Sequence, residues 1–266
     1  MSTELSRAKL DTLVRICRKA GDAILKVYGT EFTVTEKSDS SPLTQADLAS
    51  HHIICDALED LDPDIPVLSE ESAEIPFSER SRWQTYWLVD PLDGTKEFVN
   101  RNGEFTVNIA LIHDHVPVMG VVHVPVTDTS YFGALSLGAF KHSNGQTSSI
   151  SVRAAVADPV VVVGSRSHAN PALEQRLAAV GPYELVSMGS SLKFCLLAEG
   201  EADFYPRLGP TSEWDTGAAQ AVVEAAGGRV VKLDGSALRY NTKSELLNPE
   251  FLVYGDLNKD WAGLMS

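Results

Sequence analysis

Basic residues are scarce in this chain of 266: 22 lysines and arginines stand against 36 aspartates and glutamates, a net charge of −14. Such a balance lacks the cationic footprint that a nucleic-acid backbone or an anionic membrane surface requires, so phosphate must be met by a local cluster of donors. A small-molecule substrate and no nucleic acid are expected. Long apolar runs are also missing: nothing approaches the ~18 consecutive apolar residues of a membrane span. Met1 to Asp11 alternates charge where an export signal would be apolar. The expectation is a cytoplasmic protein without an integral membrane segment. Peripheral contact with the inner membrane stays open, although no basic amphipathic helix or lipidation motif is visible. Cysteine is limited to Cys17, Cys55 and Cys195, with no C-x-x-C pair. That argues against a disulfide framework and for three core thiols in a reducing compartment.

Several catalytic motifs are absent. There is no G-x-x-x-x-G-K-[ST] and no G-x-G-x-x-G, which excludes a P-loop and a Rossmann dinucleotide site. Ser190-Ser191-Leu192-Lys193 matches S-x-x-K, but no S-D-N or K-T-G accompanies it, so serine acyl transfer fails. His113-Asp114-His115 lacks further ligands at zinc spacing and reads as a hairpin turn.

What is present is an ordinary globular composition, 44% hydrophobic and 22% charged. Leu10, Leu13, Val14, Cys17, Ala20, Ala23, Ile24 and Val27 predict an amphipathic helix from about Glu4 to Tyr28. An extended piece at Phe32 to Val34 follows. Ser41 and Pro42 then precede a second helix, capped by Thr44 and running to Leu58, in which Thr44 to Asp47 has capping-box spacing. Val67-Leu68 and Tyr86 to Val89 read as short buried strands ending in acid. Phe105 to Phe140 reads as an antiparallel meander reaching the Asn144-Gly145 turn. Beyond Asp158-Pro159 strands and helices alternate, including helices from Pro171 to Val180, Ser191 to Ala198 and Thr216 to Ala226. A domain change is placed near residue 155: an antiparallel-sheet α+β domain over 1–155 and a smaller α/β domain over 156–266.

The sharpest local signal is Asp90-Pro91-Leu92-Asp93-Gly94-Thr95, directly after a strand. Two carboxylates around a proline-fixed turn, with a glycine that lets backbone approach a ligand, suit a hard cation such as Mg²⁺. Taken alone this is equally a solvated turn. Glu70, at a strand end, and Asp215, after Trp214 at a helix start, change the balance. Separately they read as a surface acid and a helix cap. Together Glu70, Asp90, Asp93 and Asp215 would repel one another unless metal were bound, and their charge matches two Mg²⁺.

Glu70-Glu71 after a strand, D-P-L-D-G-T at Asp90 to Thr95, and Trp214-Asp215 at a helix start resemble the signatures of the Mg²⁺-dependent, lithium-sensitive inositol monophosphatase-like superfamily. Val67 to Glu71, Tyr86 to Phe98, Asn102 to Leu111, Ser165 to His168 and Gly189 to Gly200 resemble, more narrowly, its bacterial 3′(2′),5′-bisphosphate nucleotidases. The resemblance implies an α/β fold with an α+β N-terminal part, a layered αβαβα sandwich of the inositol monophosphatase/fructose-1,6-bisphosphatase type. It also implies a hydrolase that converts 3′-phosphoadenosine 5′-phosphate to AMP and phosphate, acts on 3′-phosphoadenosine 5′-phosphosulfate, and serves sulfate assimilation. Two Mg²⁺ are expected, with room for a third, weaker ion. Carried over by motif, Glu70, Asp90 and the Leu92 carbonyl hold one ion, and Asp90, Asp93 and Asp215 the second. Asp47 and Thr95 match the pair that activates water. Gly94 and Thr95 amides face a phosphate oxygen. With the metal-site residues Glu70, Leu92, Asp93 and Asp215, substrate contacts fall on Ser190, Lys193 and Arg207, with Arg166 and His168 as weaker candidates.

The bland alternatives are an exposed helical lysine for Lys193 and a strand-end salt bridge for Arg207, but a helix N-terminus at Ser190-Ser191 favours an anion nearby; without the resemblance Arg166 and His168 read as loop residues. The alternatives are an inositol monophosphatase or broad sugar-phosphate phosphatase and, from another class, a catalytically silent nucleotide-binding module. A monomer and a homodimer are both compatible with the sequence. One consequence is measurable: Thr95→Val lowers kcat and leaves metal affinity largely intact, and loss of metal binding in that variant refutes the assigned role.

Overall fold

The computed structural model describes residues 5–30, 42–166, 173 and 176–265. Helices α1 (Arg7–Tyr28) and α2 (Pro42–Leu61) open it. The three-and-four spacing gives α1 one buried stripe, and Ser6 caps it by accepting from the Lys9 amide. α2 begins at Pro42, so Thr44 lies inside the first turn and is not its cap. A proline ring suits the first helical position, where no amide partner is needed. The expected extended piece at Phe32 to Val34 lies outside the described residues, as do Ser41 and most of the start of the helix expected from Pro171.

Seven strands form the first sheet in chain order: β1 (Val67–Ser69), β2 (Thr85–Asp93), β3 (Thr106–His113), β4 (Val116–Val124), β5 (Thr129–Ala134), β6 (Gly138–Ser143) and β7 (Gln146–Ile150). β1 runs parallel to β2, and the others pair antiparallel. Short helices α3 (Phe77–Arg80) and α4 (Thr95–Val99) flank β2. The expected meander is present. Asp114-His115 and Asn144-Gly145 make two-residue turns with positive φ throughout, as tight hairpins require. His113 pairs with Thr85 Oγ1 at 2.7 Å and His115 with Tyr240 O at 2.8 Å, while Asp114 and His115 are exposed, so this segment is a surface turn.

The second sheet contains β8 (Val160–Ser165), β9 (Tyr183–Met188), β10 (Phe204–Arg207), β11 (Arg229–Lys232) and β12 (Phe251–Tyr254), in the order β11-β12-β10-β8-β9. Helices α5 (Leu192–Ala198), α6 (Gly217–Ala225) and α7 (Trp261–Met265) accompany it.

Side-chain alternation along the strands builds the layers. On one face of the first sheet Trp87, Val89, Ile109, Leu111 and Val121 pack with α1 and α2. On the other, Tyr86, Leu88, Ala110, Ile112 and Val122 meet Phe194 and Leu197 of α5 and Ala218 and Val222 of α6. Beyond the second sheet, Val162, Phe204 and Leu252 pack with Trp261 of α7. The result is the expected α/β/α/β/α stack. Cys17 and Cys195 are core thiols, but Cys55 is only half-buried. It flanks the buried stripe of Ile54 and Leu58, with its Sγ 3.5 Å from His51 Nδ1.

α6 approaches β4 so closely that a Cβ on Gly120 would lie 2.2 Å from the Ala218 carbonyl oxygen. Backbone cannot yield cheaply there. Gly120→Ala is therefore expected to cost about 1–3 kcal/mol by overpacking. A fall of several degrees in Tm by thermal denaturation checks this.

Candidate active site

Alternation along β2 places Asp90 on the face of Tyr86 and Leu88, the side covered by α5 and α6. Three residues later a regular strand would turn Asp93 to the opposite face. A bulge prevents this: Asp90 pairs with Asn108 and Asp93 with Thr106, so β2 spends one more residue than β3. Both carboxylates thus share one face, while Leu92 is buried in the cluster against α1 and α2. The buried Ser50 of α2 pins the bulge by donating to Pro91 O at 2.7 Å. The parallel pairing of Ser69 with Val89 brings Glu70 alongside Asp90.

Asp215 arrives from the loop before α6, and carboxylate oxygens of Asp90, Asp93 and Asp215 lie within 4.8 Å of one another. Thr216, not Asp215, occupies the cap position of α6; the Asp215 Oδ2 accepts from the Ser212 amide at 2.9 Å. Burial pushes the Asp90 carboxyl well above its usual range, with further contributions from Glu70, Asp93, Asp215 and Asp47. Asp215 is pushed up to about 7, by burial first and Asp93 second. Asp90 Oδ1 accepts from the Leu92 amide at 3.0 Å, whereas its buried Oδ2 has no hydrogen-bond partner. An orphaned buried oxygen within a mutually repelling, all-oxygen donor set fits a hard divalent cation such as Mg²⁺.

A cleft of about 340 Å³ is lined by Glu70, Asp90, Leu92, Asp93, Gly94, Thr95, Ser190, Lys193, Arg207 and Asp215. Asp47 is buried in α2 and reaches the site through its charge on Asp90. Gly94 holds a φ of +93° before Thr95 opens α4, and a Cβ there would meet Glu104 O, Phe105 Cα and Ser190 Cβ at 3.2 Å.

Lys193 is buried, not exposed; its Nζ donates to Ser190 O at 2.5 Å, and burial brings its pKa down to about 8. Arg207 donates to Thr211 Oγ1 at 2.5 Å and to Pro210 O at 2.7 Å. Arg166 makes a two-bond pair with Glu104, at 2.8 and 2.7 Å, and is not among the cleft-lining side chains. His168 lies outside the described residues. Sequence reasoning missed Thr106, Asn108 and Ser191, which bond Asp93, and Ser50, which holds the Pro91 carbonyl between the two acids. Ser191 was visible as part of a helix start and of a refused S-x-x-K match, and the role of Asn108 becomes visible through its register opposite Asp90.

The model of the inositol monophosphatase family matches residues 7–262. A curated relative, the 3′(2′),5′-bisphosphate nucleotidase CysQ of Escherichia coli strain K12, is 51% identical over 246 residues, which cover 92% of this chain and 98% of that protein. The crystal structure of CysQ from Bacteroides thetaiotaomicron superposes with a TM-score of 0.85 at 42% identity, covering 94% of this chain and 98% of its own. An inositol monophosphatase from Anabaena superposes with a TM-score of 0.75 at 25% identity, over 94% and 91% respectively.

Because burial pushes Asp215 up to about 7 in the folded protein, above the ordinary aspartate value of about 4, the folded state binds more protons between those pH values. Its contribution to stability therefore falls as pH rises through that window. Without divalent ions, Asp215→Asn is expected to raise Tm at pH 8 relative to the wild type and to shrink the Tm gain on adding Mg²⁺. An unchanged Tm and an undiminished Mg²⁺ shift would contradict the repulsion described here.

Proposed function

Because this chain belongs to the inositol monophosphatase family, we propose that it is a Mg²⁺-dependent 3′(2′),5′-bisphosphate nucleotidase, removing the 3′-phosphate of 3′-phosphoadenosine 5′-phosphate to leave AMP. The same reaction on 3′-phosphoadenosine 5′-phosphosulfate leaves adenosine 5′-phosphosulfate, which places the enzyme in sulfate assimilation and nucleotide recycling. The observation that carries this reading is a cleft of two signs. Glu70, Asp90, Asp93, Glu97 and Asp215 gather in it, and the same cleft is lined by three cations, Lys96, Lys193 and Arg207, in a chain with a net charge of −14. A monophosphate needs the first set only; a bisphosphate uses both.

Glu70, Asp90 and the Leu92 carbonyl would hold one ion, and Asp90, Asp93 and Asp215 a second. When bound, Mg²⁺ supplies charge neutralisation at the phosphoryl group and activation of water. The chain's own groups do the rest. The Thr95 hydroxyl, with Asp47 as its acceptor, orients water for in-line displacement. Ser190, Lys193 and Arg207 receive the 5′-phosphate, and Lys193, with a pKa of about 8, stays cationic at neutral pH. The substrate lies between the 1–155 and 156–266 portions, the first supplying most metal ligands and the second the cations.

Phosphate release from 3′-phosphoadenosine 5′-phosphate and from myo-inositol 1-phosphate, measured in parallel with Mg²⁺ and added Li⁺, tests the assignment. A strong nucleotide preference that needs Mg²⁺ and is suppressed by Li⁺ is expected. In Lys193→Met the KM for the bisphosphate rises about tenfold or more, on the scale of a lost charge-assisted hydrogen bond. Comparable rates on both substrates make the enzyme an inositol or sugar phosphatase, and release from neither leaves a silent binding module.

A further inference from the structure

Three segments distant in sequence supply the acids and cover them, and one side chain touches all three. Ser191, 2% exposed, stands at the cap position of α5. Its amide donates to Asp93 Oδ2 at 2.7 Å. Its Oγ lies 2.7 Å from that same oxygen and 2.7 Å from the carbonyl oxygen of Asp215. Asn108 Nδ2 donates to this Oγ at 3.0 Å. Asn108 is itself buried and stands opposite Asp90 in the β2–β3 register.

A carboxylate oxygen offers about two lone-pair sites. Asp93 Oδ2 already faces three strong donors, the Ser191 amide and hydroxyl and the Ser190 hydroxyl at 2.6 Å, with Thr106 and Asn108 at 3.4 Å. That oxygen is saturated. Oδ1 is what remains to face a cation, and its direction follows from where Oδ2 is held. The Ser191 Oγ lies 2.7 Å from both Asp93 Oδ2 and the Asp215 carbonyl oxygen, and its one proton serves either, so the β2 bulge and the loop before α6 are referred to one atom. Asn108 occupies a lone pair of that atom and restricts its rotation.

We propose that Ser191 is the positioning residue of the metal centre: it sets Asp93 and Asp215 relative to each other so that their free carboxylate oxygens converge on a common cation, with Asn108 orienting its hydroxyl. The inference rests on the metal reading given above and deepens it, assigning a role to Ser191, which lines the same cleft, and to Asn108 behind it.

The test is titration of the full-length protein with Mn²⁺, without substrate, by electron paramagnetic resonance. Ser191→Ala keeps the backbone donor and loses the shared hydroxyl, and its Mn²⁺ dissociation constant is expected to rise 10- to 100-fold, the usual scale for partners of metal ligands. Asn108→Ala shifts it in the same direction by less, and serves as the readout if the serine variant fails to fold. At saturating Mg²⁺, the KM of Ser191→Ala for 3′-phosphoadenosine 5′-phosphate stays within about twofold of wild type. Unchanged Mn²⁺ affinity in a folded variant overturns the inference alone. A raised KM with unchanged metal affinity does so too, making Ser191 a substrate contact. Absence of Mn²⁺ binding by the wild type overturns the metal reading and this inference together.

Discussion

Negative charges withdrawn from water repel one another, and this site concentrates them at the end of a strand whose neighbours are all buried. Asp90 sits at the centre of that repulsion: fully buried, flanked by Glu70, Asp93 and Asp215, and raised well above the ordinary carboxylate range. A fold that assembles such a group must hold it against its own tendency to spread. Most of the local architecture can be understood as that restraint.

The restraint comes from both faces of the first sheet. From the α1/α2 side, Ser50 fastens the Pro91 carbonyl, and Leu92 is locked among apolar side chains. From the α5/α6 side, the hydroxyls and amide of Ser190 and Ser191 converge on Asp93. The contact of Gly120 with Ala218 fixes α6, and with it the loop that carries Asp215. Both carboxylate oxygens of the buried Glu213 share the backbone N–H of Asn241, which anchors that loop from behind. Packing, turn geometry and hydrogen bonding therefore act on the same few acids. A bound cation would offset the cost of crowding them, and Lys193 and Arg207 line the same cleft.

Much of this was legible in the chain. The apolar spacing of α1, the alternation of the meander and the Asp114-His115 and Asn144-Gly145 turns follow from local rules of period and backbone conformation, and the structure reproduces them. The acids of D-P-L-D were legible as a pair because a proline and a glycine flank them. Other features were not. Thr44 carries the right chemistry for a cap, yet the helix begins at Pro42. Lys193 looked like a surface lysine because helical spacing does not reveal that Tyr205 and Arg207 of β10 belong to the same cleft. Asn108 and Ser191 fall within segments that carried the resemblance, but neither was legible as a support for the acids, since an asparagine or serine becomes informative only beside the group it holds.

Sequence by itself determined the elements, the sign of the charge and the identity of the acids, because period, proline and glycine geometry, and ionisation are properties of neighbouring residues. It also carried the family, through motifs that occur in order. Tertiary structure decided which oxygens meet. The bulge between Asp90 and Asp93, the parallel register that sets Glu70 beside Asp90, and the arrival of Asp215 and Ser191 from the second half depend on pairing across the sheet and packing between layers. Ser191 and Asp93 lie 98 positions apart, and no local rule specifies the distance between such residues.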